Sequence, residues 1–522
     1  MANLLVKHVE TQGDRPAVVD DRSTRTWSEL NDRVNQLIHA LRAGGLTDGA
    51  TIAVMSGNRC ELFETYLAAG HANWVVVPVN WHWVSDELAY VLENSGAQVL
   101  IVEDQFREVA EQARQDSRTS RCVRWIVVGE PAEGFESYDA VLGAAPHHEP
   151  DGQGTGGPMF YTSGTTGFPK GVRSALCKTG LTTEITELIS GSFLNMLQVP
   201  GAGGVTLLVG PAYHSAQWVF SMFPLVNGSL LVMRHKFDAE ETLALIQQWN
   251  VTNLHLVPTQ FIRLLALDEQ TRSRASTATL TAVYHGAAPC PHRVKQSMLD
   301  WFGPVVHEYY GGTEGGFLTL MPGSEWPDRP QSLGQPTDLV ELRIVDDDAN
   351  EVPTGVAGQI YFRSRVGSDF EYHNDPNKTR SAHLGEGWAT LGDVGYLDEQ
   401  GYLFLSDRKI DMIISGGVNI YPAEIEAVLC DHPLVADAAV FGIPHEEMGE
   451  QVKAAVELVH SAPPDEHEHL AEMLIAHCRE HLAGYKAPRS LDIVEALPRQ
   501  ETGKLYKRLL RDPYWHEAGR SI

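Results

Sequence analysis

Apolar residues recur at Leu30, Val34, Leu37, Ile38 and Leu41, the spacing of one helical face, until Gly44-Gly45 interrupts it. Thr26-Trp27-Ser28-Glu29 precedes this stripe as a capping box, so the pattern predicts a helix that opens after Thr26 and stops at the glycine pair. Downstream, apolar runs at Thr51–Met55, Trp74–Val79 and Val99–Val102 alternate with helical patterns at Cys60–Gly70 and Asp86–Asn94. Strand and helix in regular succession predict a largely parallel sheet. The rhythm is Rossmann-like, yet no G-x-G-x-x-G follows the first of these strands, which argues against nicotinamide chemistry. A Gly-, Pro- and His-rich stretch from Gly143 to Gly157 reads as a connection. Near Asp407-Arg408 the character changes, and about a hundred residues of short elements follow, enough for a small independent unit. The expected division is 1–407 and 408–522.

Composition narrows the class. With 522 residues, 43% hydrophobic and 21% charged, the chain is an ordinary globular one, too long for a single core. Its 40 basic against 68 acidic residues give a formal charge of -28, which argues against nucleic acid or anionic lipid as a partner and requires any anionic ligand to find a local positive site. The six cysteines (Cys60, Cys122, Cys177, Cys290, Cys430, Cys478) form no C-x-x-C pair and suggest neither a zinc site nor a disulfide framework. A reducing cytoplasm is the expected compartment. The apolar run at the N-terminus is too short for a signal peptide, and WVVVPV at Trp74–Val79 cannot span a bilayer, so no membrane insertion is expected.

One stretch is poor core material. YTSGTTGFPKGV, Tyr161 to Val172, gathers glycines and hydroxyls around one lysine after the strand-like MFYTS. Glycine lets backbone N–H groups approach a ligand, hydroxyls add donors and lysine adds a compact charge, an inventory suited to several phosphate oxygens. It is not a Walker A loop, because its glycines and lysine do not match G-x-x-x-x-G-K-[ST]. EYYGGTEGG supplies Tyr310 as an aromatic face, Thr313 as a hydroxyl and Glu314 as a carboxylate able to hold Mg²⁺. GWATLGDVGYL places Asp393 in a glycine-flanked turn, where it could accept from two ribose hydroxyls, and LPRQETGKLYKR presents Lys504 after a Thr-Gly turn.

These four stretches, in this order and with SDRKIDMIISGG between the last two, resemble the acyl-adenylate-forming superfamily, which includes acyl-CoA synthetases, peptide-synthetase adenylation domains and beetle luciferases. The resemblance covers nearly the whole chain. It implies an α/β fold, with a large multi-sheet N-terminal domain of Rossmann-like βα alternation and a small, mobile α+β C-terminal domain. It implies that Thr162, Ser163, Gly164, Thr165, Thr166, Gly167 and Lys170 wrap the β- and γ-phosphates of ATP. Tyr310 would stack on adenine, Thr313 would touch the α-phosphate, Glu314 would bind Mg²⁺, and Asp393 with Arg408 would hold the ribose. The turn at Gly286-Ala287 would lie along nucleotide and acyl pocket. His214, Trp218, Tyr309 and Gly311 would belong to the acyl pocket, with Trp218 sharing a helical face with His214 and Tyr309 standing where many relatives have glycine.

Lys504 carries the sharpest implied role. A carboxylate attacking the α-phosphate brings two anions together, at a cost of about 4 kcal/mol at ~4 Å and an effective dielectric of 20, and a lysine between them reverses the sign. The resemblance further implies a tail domain that swings between two half-reactions, with Ser415, Gly416 and Gly417 forming the coenzyme A channel in the second. The pivot departs from the pattern: Ile410 stands where relatives carry Lys or Asp. The implied activity is ATP- and Mg²⁺-dependent activation of a hydrophobic carboxylic acid, followed by transfer to coenzyme A as co-substrate. An amine or carrier-protein thiol as acceptor, a chain performing only the thioester-forming half-reaction, and homodimerisation all stay open.

Overall fold

The structure, a computed structural model, describes residues 4–162, 169–177, 180–408, 411–415, 418–445, 448–499 and 505–517; the side chains of residues 407, 408, 419 and 517 lie outside that description. The predicted opening helix runs Trp27–Ala43. Its capping box is formed in both directions, with Thr26 accepting from the Glu29 amide and the Glu29 carboxylate accepting from the Thr26 amide. Gly45 adopts φ +95°, a conformation costly for any side chain, and this ends the helix where the sequence indicated. Leu30, Val34, Leu37, Ile38 and Leu41 are all buried, so the stripe faces a core along its whole length.

The succession of elements continues as Thr51–Met55, Cys60–His71, Val75–Pro78, Ser85–Ser95 and Val99–Glu103. These strands build a parallel six-stranded sheet, in the order Glu136–Ser137, Arg124–Val128, Val99–Glu103, Thr51–Met55, Val75–Pro78, Gly157–Pro158. A nine-stranded sheet lies beside it, with Asn253–Leu256, Ala282–His285 and Val306–Gly312 as parallel neighbours. Ile52 and Val54 share one core with Leu208 and Leu231 of the second sheet, while Ala53 and Met55 face a different core. Alternate residues of one strand thus enter two cores, which is why these runs read as continuously apolar. The helices Trp27–Ala43, Cys60–His71 and Ser215–Val226 contribute to the shared core between the two sheets.

Three further sheets lie among the described residues: one around the hairpin Phe160–Thr162 and Lys170–Arg173, one six-stranded antiparallel sheet spanning Val340 to Arg408, and one from Ile413 to Val494. The last has its own core of Ile413, Ile420, Ile425, Leu429, Val440 and Val456, with the helices Pro422–Asp431 and His467–His481 packed on it. All six cysteines are unpaired. No described helix is long and apolar enough to cross a membrane.

Candidate active site

The strand Val306–Gly312 sends successive side chains to opposite faces, so its adjacent tyrosines must part company. On one face the Tyr310 hydroxyl donates to Asp393 Oδ2 at 2.6 Å. On the other the Tyr309 hydroxyl meets His255 Nε2 at 3.0 Å, and Gln217 donates to His255 Nδ1 at 2.9 Å. The Gln217 bond requires a lone pair on Nδ1, so the neutral His255 ring donates from Nε2 to Tyr309. Burial holds the His255 pKa down to about 3, and the ring stays neutral. Tyr309 lies in an aromatic cluster, 4.6 Å from Phe317 and 5.7 Å from Phe220 between ring centroids, with Phe193 5.1 Å from Phe317. Phe193 and Phe317 were missed in the sequence, because their contacts join a helix and a strand far apart in the chain.

Asp393 opens the strand Asp393–Leu397 after Gly392; it is not held within a turn, as the flanking glycines had suggested. Its antiparallel partner in register is Arg408, the last residue of Leu403–Arg408, so the backbone sets the two side by side. Thr313, at the tip of the hairpin that follows Tyr310, bonds through its hydroxyl to Ser215 at 2.9 Å. Ser215 is the first residue of the helix Ser215–Val226, so Thr313 lies beside that helix's amide-rich, partly positive end. His214 is the N-cap of that helix and not a member of it, so it shares no helical face with Trp218. Trp218 is buried in the core, edge-on to Phe160, Tyr66 and Phe223.

Glu314 is held by Tyr372, whose hydroxyl donates to its Oε1 at 3.0 Å; burial and this carboxylate both push the phenol pKa up. Tyr372 pairs in register with Val172, which ties Glu314 to the strand bearing Lys170. Lys170 in turn faces Thr162 across the hairpin. Lys378 sits 5.0 Å over the Tyr372 ring. Burial, then the neighbouring Lys378, lowers Lys170 to about 8. Two cations crowded in this way favour an anion between them. The sequence reading missed Lys378 and Tyr372, because a lysine in a loop helix carries no local mark of the strand it will face.

Gly286 and Gly311 are glycines by necessity: a Cβ on the first would come within 2.7 Å of the Tyr309 ring, and on the second within 1.9 Å of the Gly316 carbonyl oxygen. Ala287 takes φ +66°, a left-handed conformation uncommon for a residue with a side chain. Beneath this turn lies a buried polar group. Lys295 contacts His285 Nε2 and lies 3.8 Å from Glu308, and His285 lies 3.7 Å from Glu308. Burial lowers the pKa of Lys295 and His285 and raises that of Glu308. A signal was available: Lys295 occupies the apolar stripe Val294, Met298, Leu299, Phe302 of its helix, a position that calls for a buried partner.

Ser163, Gly164, Thr165, Thr166, Gly167, Ile410, Gly416, Gly417 and Lys504 lie outside the described residues, as does the Arg408 side chain. Ser415 ends a short strand and pairs with Val418 and Gly449. Beyond Lys504, Leu505 bridges to Arg499, and Lys507 pairs with Glu426 at 2.8 Å.

Comparison with known proteins bears on the family and the fold. The model of the AMP-binding enzyme family matches residues 5–367, and that of the AMP-binding enzyme C-terminal domain matches residues 424–504. A fatty acid–acyl-carrier-protein ligase of Streptomyces coeruleorubidus is 29% identical, over 99% of this chain and 96% of its own. A feruloyl-CoA synthase of Amycolatopsis is 32% identical, over 93% of each chain. The crystal structure of an anthranilate CoA ligase in complex with anthranoyl-AMP superposes with a TM-score of 0.88 at 25% identity, covering 99% of this chain and 97% of that one.

Proposed function

This chain belongs to the AMP-binding enzyme family, and from that premise we propose that it adenylates a hydrophobic carboxylic acid with ATP and Mg²⁺, then passes the acyl group to the thiol of coenzyme A. The observation that carries the reading is the convergence on one hairpin of Tyr310, Thr313 and Glu314, met by Asp393 from a second sheet and by the Lys170 strand through Tyr372. Tyr310 offers its ring to adenine while its hydroxyl fixes Asp393, and Asp393 and Arg408 take the ribose hydroxyls. Thr313, the loop Thr162 to Gly167, and Lys170 hold the phosphates. Tyr372 engages one oxygen of Glu314, which leaves a second hard oxygen donor of the kind Mg²⁺ prefers. When bound, that ion neutralises phosphate charge. Lys504 supplies positive charge where carboxylate and α-phosphorus meet, and Ser415, Gly416 and Gly417 border the thiol's path.

Likeness to a carrier-protein ligase favours a second reading, in which the acceptor thiol belongs to a carrier protein. The test supplies purified protein with ATP, Mg²⁺ and a panel of carboxylic acids, with coenzyme A or a pantetheinylated carrier, and follows pyrophosphate, AMP and thioester. Acid-dependent pyrophosphate with coenzyme A consumption is the expected result. Pyrophosphate with thioester only on the carrier moves the assignment to the second reading, and no acid-dependent pyrophosphate overturns both.

Two variants probe the site. Tyr309→Ala removes the ring that narrows the aromatic cluster, and is expected to shift the kcat/KM ratio toward the bulkier of two homologous acids by about tenfold or more. An unchanged ratio would place the acid elsewhere. Lys170 is charged below about 8 and neutral above it, so kcat/KM for ATP is expected to fall as pH rises through that value. Lys378→Met removes a cation that lowers Lys170, and should move this fall to higher pH; a midpoint that does not move would exclude Lys170 as the titrating group.

A further inference from the structure

The final turn of the helix His467–His481 carries His477, Glu480 and His481, an H-x-x-E-H spacing that places all three on one face. One candidate ligand atom from each lies within 4.8 Å of the other two, and the two imidazole centroids are 4.3 Å apart. His481 Nδ1 bonds to the His477 carbonyl at 2.9 Å. A carbonyl only accepts, so the proton is on Nδ1 and Nε2 keeps the lone pair a metal requires, the arrangement that orients ligating histidines generally. His477 Nε2 is buried and has no hydrogen-bond partner. His432, from the turn after the helix Pro422–Asp431, packs edge-on against His477 at 5.0 Å; its Nδ1 accepts from the Leu434 amide, so its neutral ring carries the proton on Nε2 and shields the site without ligating. The helix C-terminus, where the macrodipole is negative, adds attraction for a cation.

We propose that His477, Glu480 and His481 bind one divalent transition-metal ion of the zinc, nickel or copper class, at a site separate from the adenylating centre. Two imidazoles and a carboxylate suit these ions and not Mg²⁺, which demands oxygen. Tetrahedral bonding needs adjacent donors about 3.4 Å apart, a closure within reach of the exposed Glu480 and His481 side chains, with water completing the shell. Cysteine spacing carries no sign of this site, which is built from histidines and a glutamate.

The test is calorimetric titration of ZnCl₂ into chelator-stripped, full-length protein in buffer holding excess Mg²⁺, with Cu²⁺ paramagnetic resonance in parallel. One zinc site is expected, together with copper hyperfine structure from two nitrogens. His477→Ala and His481→Gln should each weaken zinc binding at least about tenfold and remove the two-nitrogen spectrum, while His147→Ala, at an exposed histidine elsewhere, should do neither. His481 is solvent-facing, so His481→Gln keeps the test decisive if His477→Ala disturbs folding. Equal zinc affinity in parent and His481→Gln, or a copper spectrum without two nitrogens, would overturn the proposal.

Discussion

Replacing Lys504 by alanine is expected to slow acid-dependent pyrophosphate release ~10²–10³-fold, the loss typical of one preorganised donor worth ~2.7–4 kcal/mol at developing negative charge. Thiolation of a supplied acyl-adenylate should be nearly unchanged, because the thiol attacks the acyl carbon in that step and AMP leaves with its phosphorus never passing through a five-coordinate state. The two half-reactions are therefore to be timed separately, the first by pyrophosphate release and the second by AMP release from the acyl-adenylate. Adenylation at full speed in the variant would remove the lysine from the reaction and with it the proposed mechanism. Equal slowing of both steps would point to a folding defect.

The second large effect concerns stability. Lys295→Ala is expected to destabilise the large domain by about 3–5 kcal/mol, since it strands Glu308 without its cation in a buried site. Replacing the pair together, as Lys295→Met with Glu308→Gln, should recover most of that loss, because neutral side chains of similar volume carry no comparable desolvation cost. The sign of the pH dependence follows from the direction of the Glu308 shift. Burial raises its folded pKa, and removing Lys295 removes the attraction that opposes the rise. The folded variant then binds a proton that the unfolded chain releases above about 4.3, so its stability falls as pH rises from there and its deficit shrinks on acidification. Urea midpoints at pH 5 and pH 8 for parent, single and double variants decide it. A deficit independent of pH would mean that Glu308 is already neutral beside Lys295.

The buried trio also bears on the site above it. His285, the last residue of its strand, immediately precedes the Gly286-Ala287 turn, and Glu308, paired with it in register, immediately precedes the tyrosine pair, so one buried lysine contacts both strands next to these features. A polar group here costs more than an apolar core would, and it joins two residues that pair in register across neighbouring strands, the setting in which a role for buried charges is best attested.

Much of this was legible along the chain. The capping box at Thr26, the stop at Gly44-Gly45, the parallel strands Thr51–Met55 and Val99–Glu103, and the strand before the glycine-rich loop all appear where local spacing placed them. His214, by contrast, reads equally well as helix or cap, and only the extended backbone at that residue makes it a cap.

The order of elements, the turns and the set of chemical groups follow from local pattern, because caps, glycine conformations and the two- and 3.6-residue periods are set by residues within a few positions of each other. Period two also required Tyr309 and Tyr310 to point apart. Which of them enters the aromatic cluster and which reaches Asp393, which carboxylate Tyr372 engages, and which cation crowds Lys170 were decided only by tertiary structure. Those partners are brought together by how sheets stack and hairpins pair over separations of roughly fifty to two hundred residues, and no local preference of the backbone records such distances.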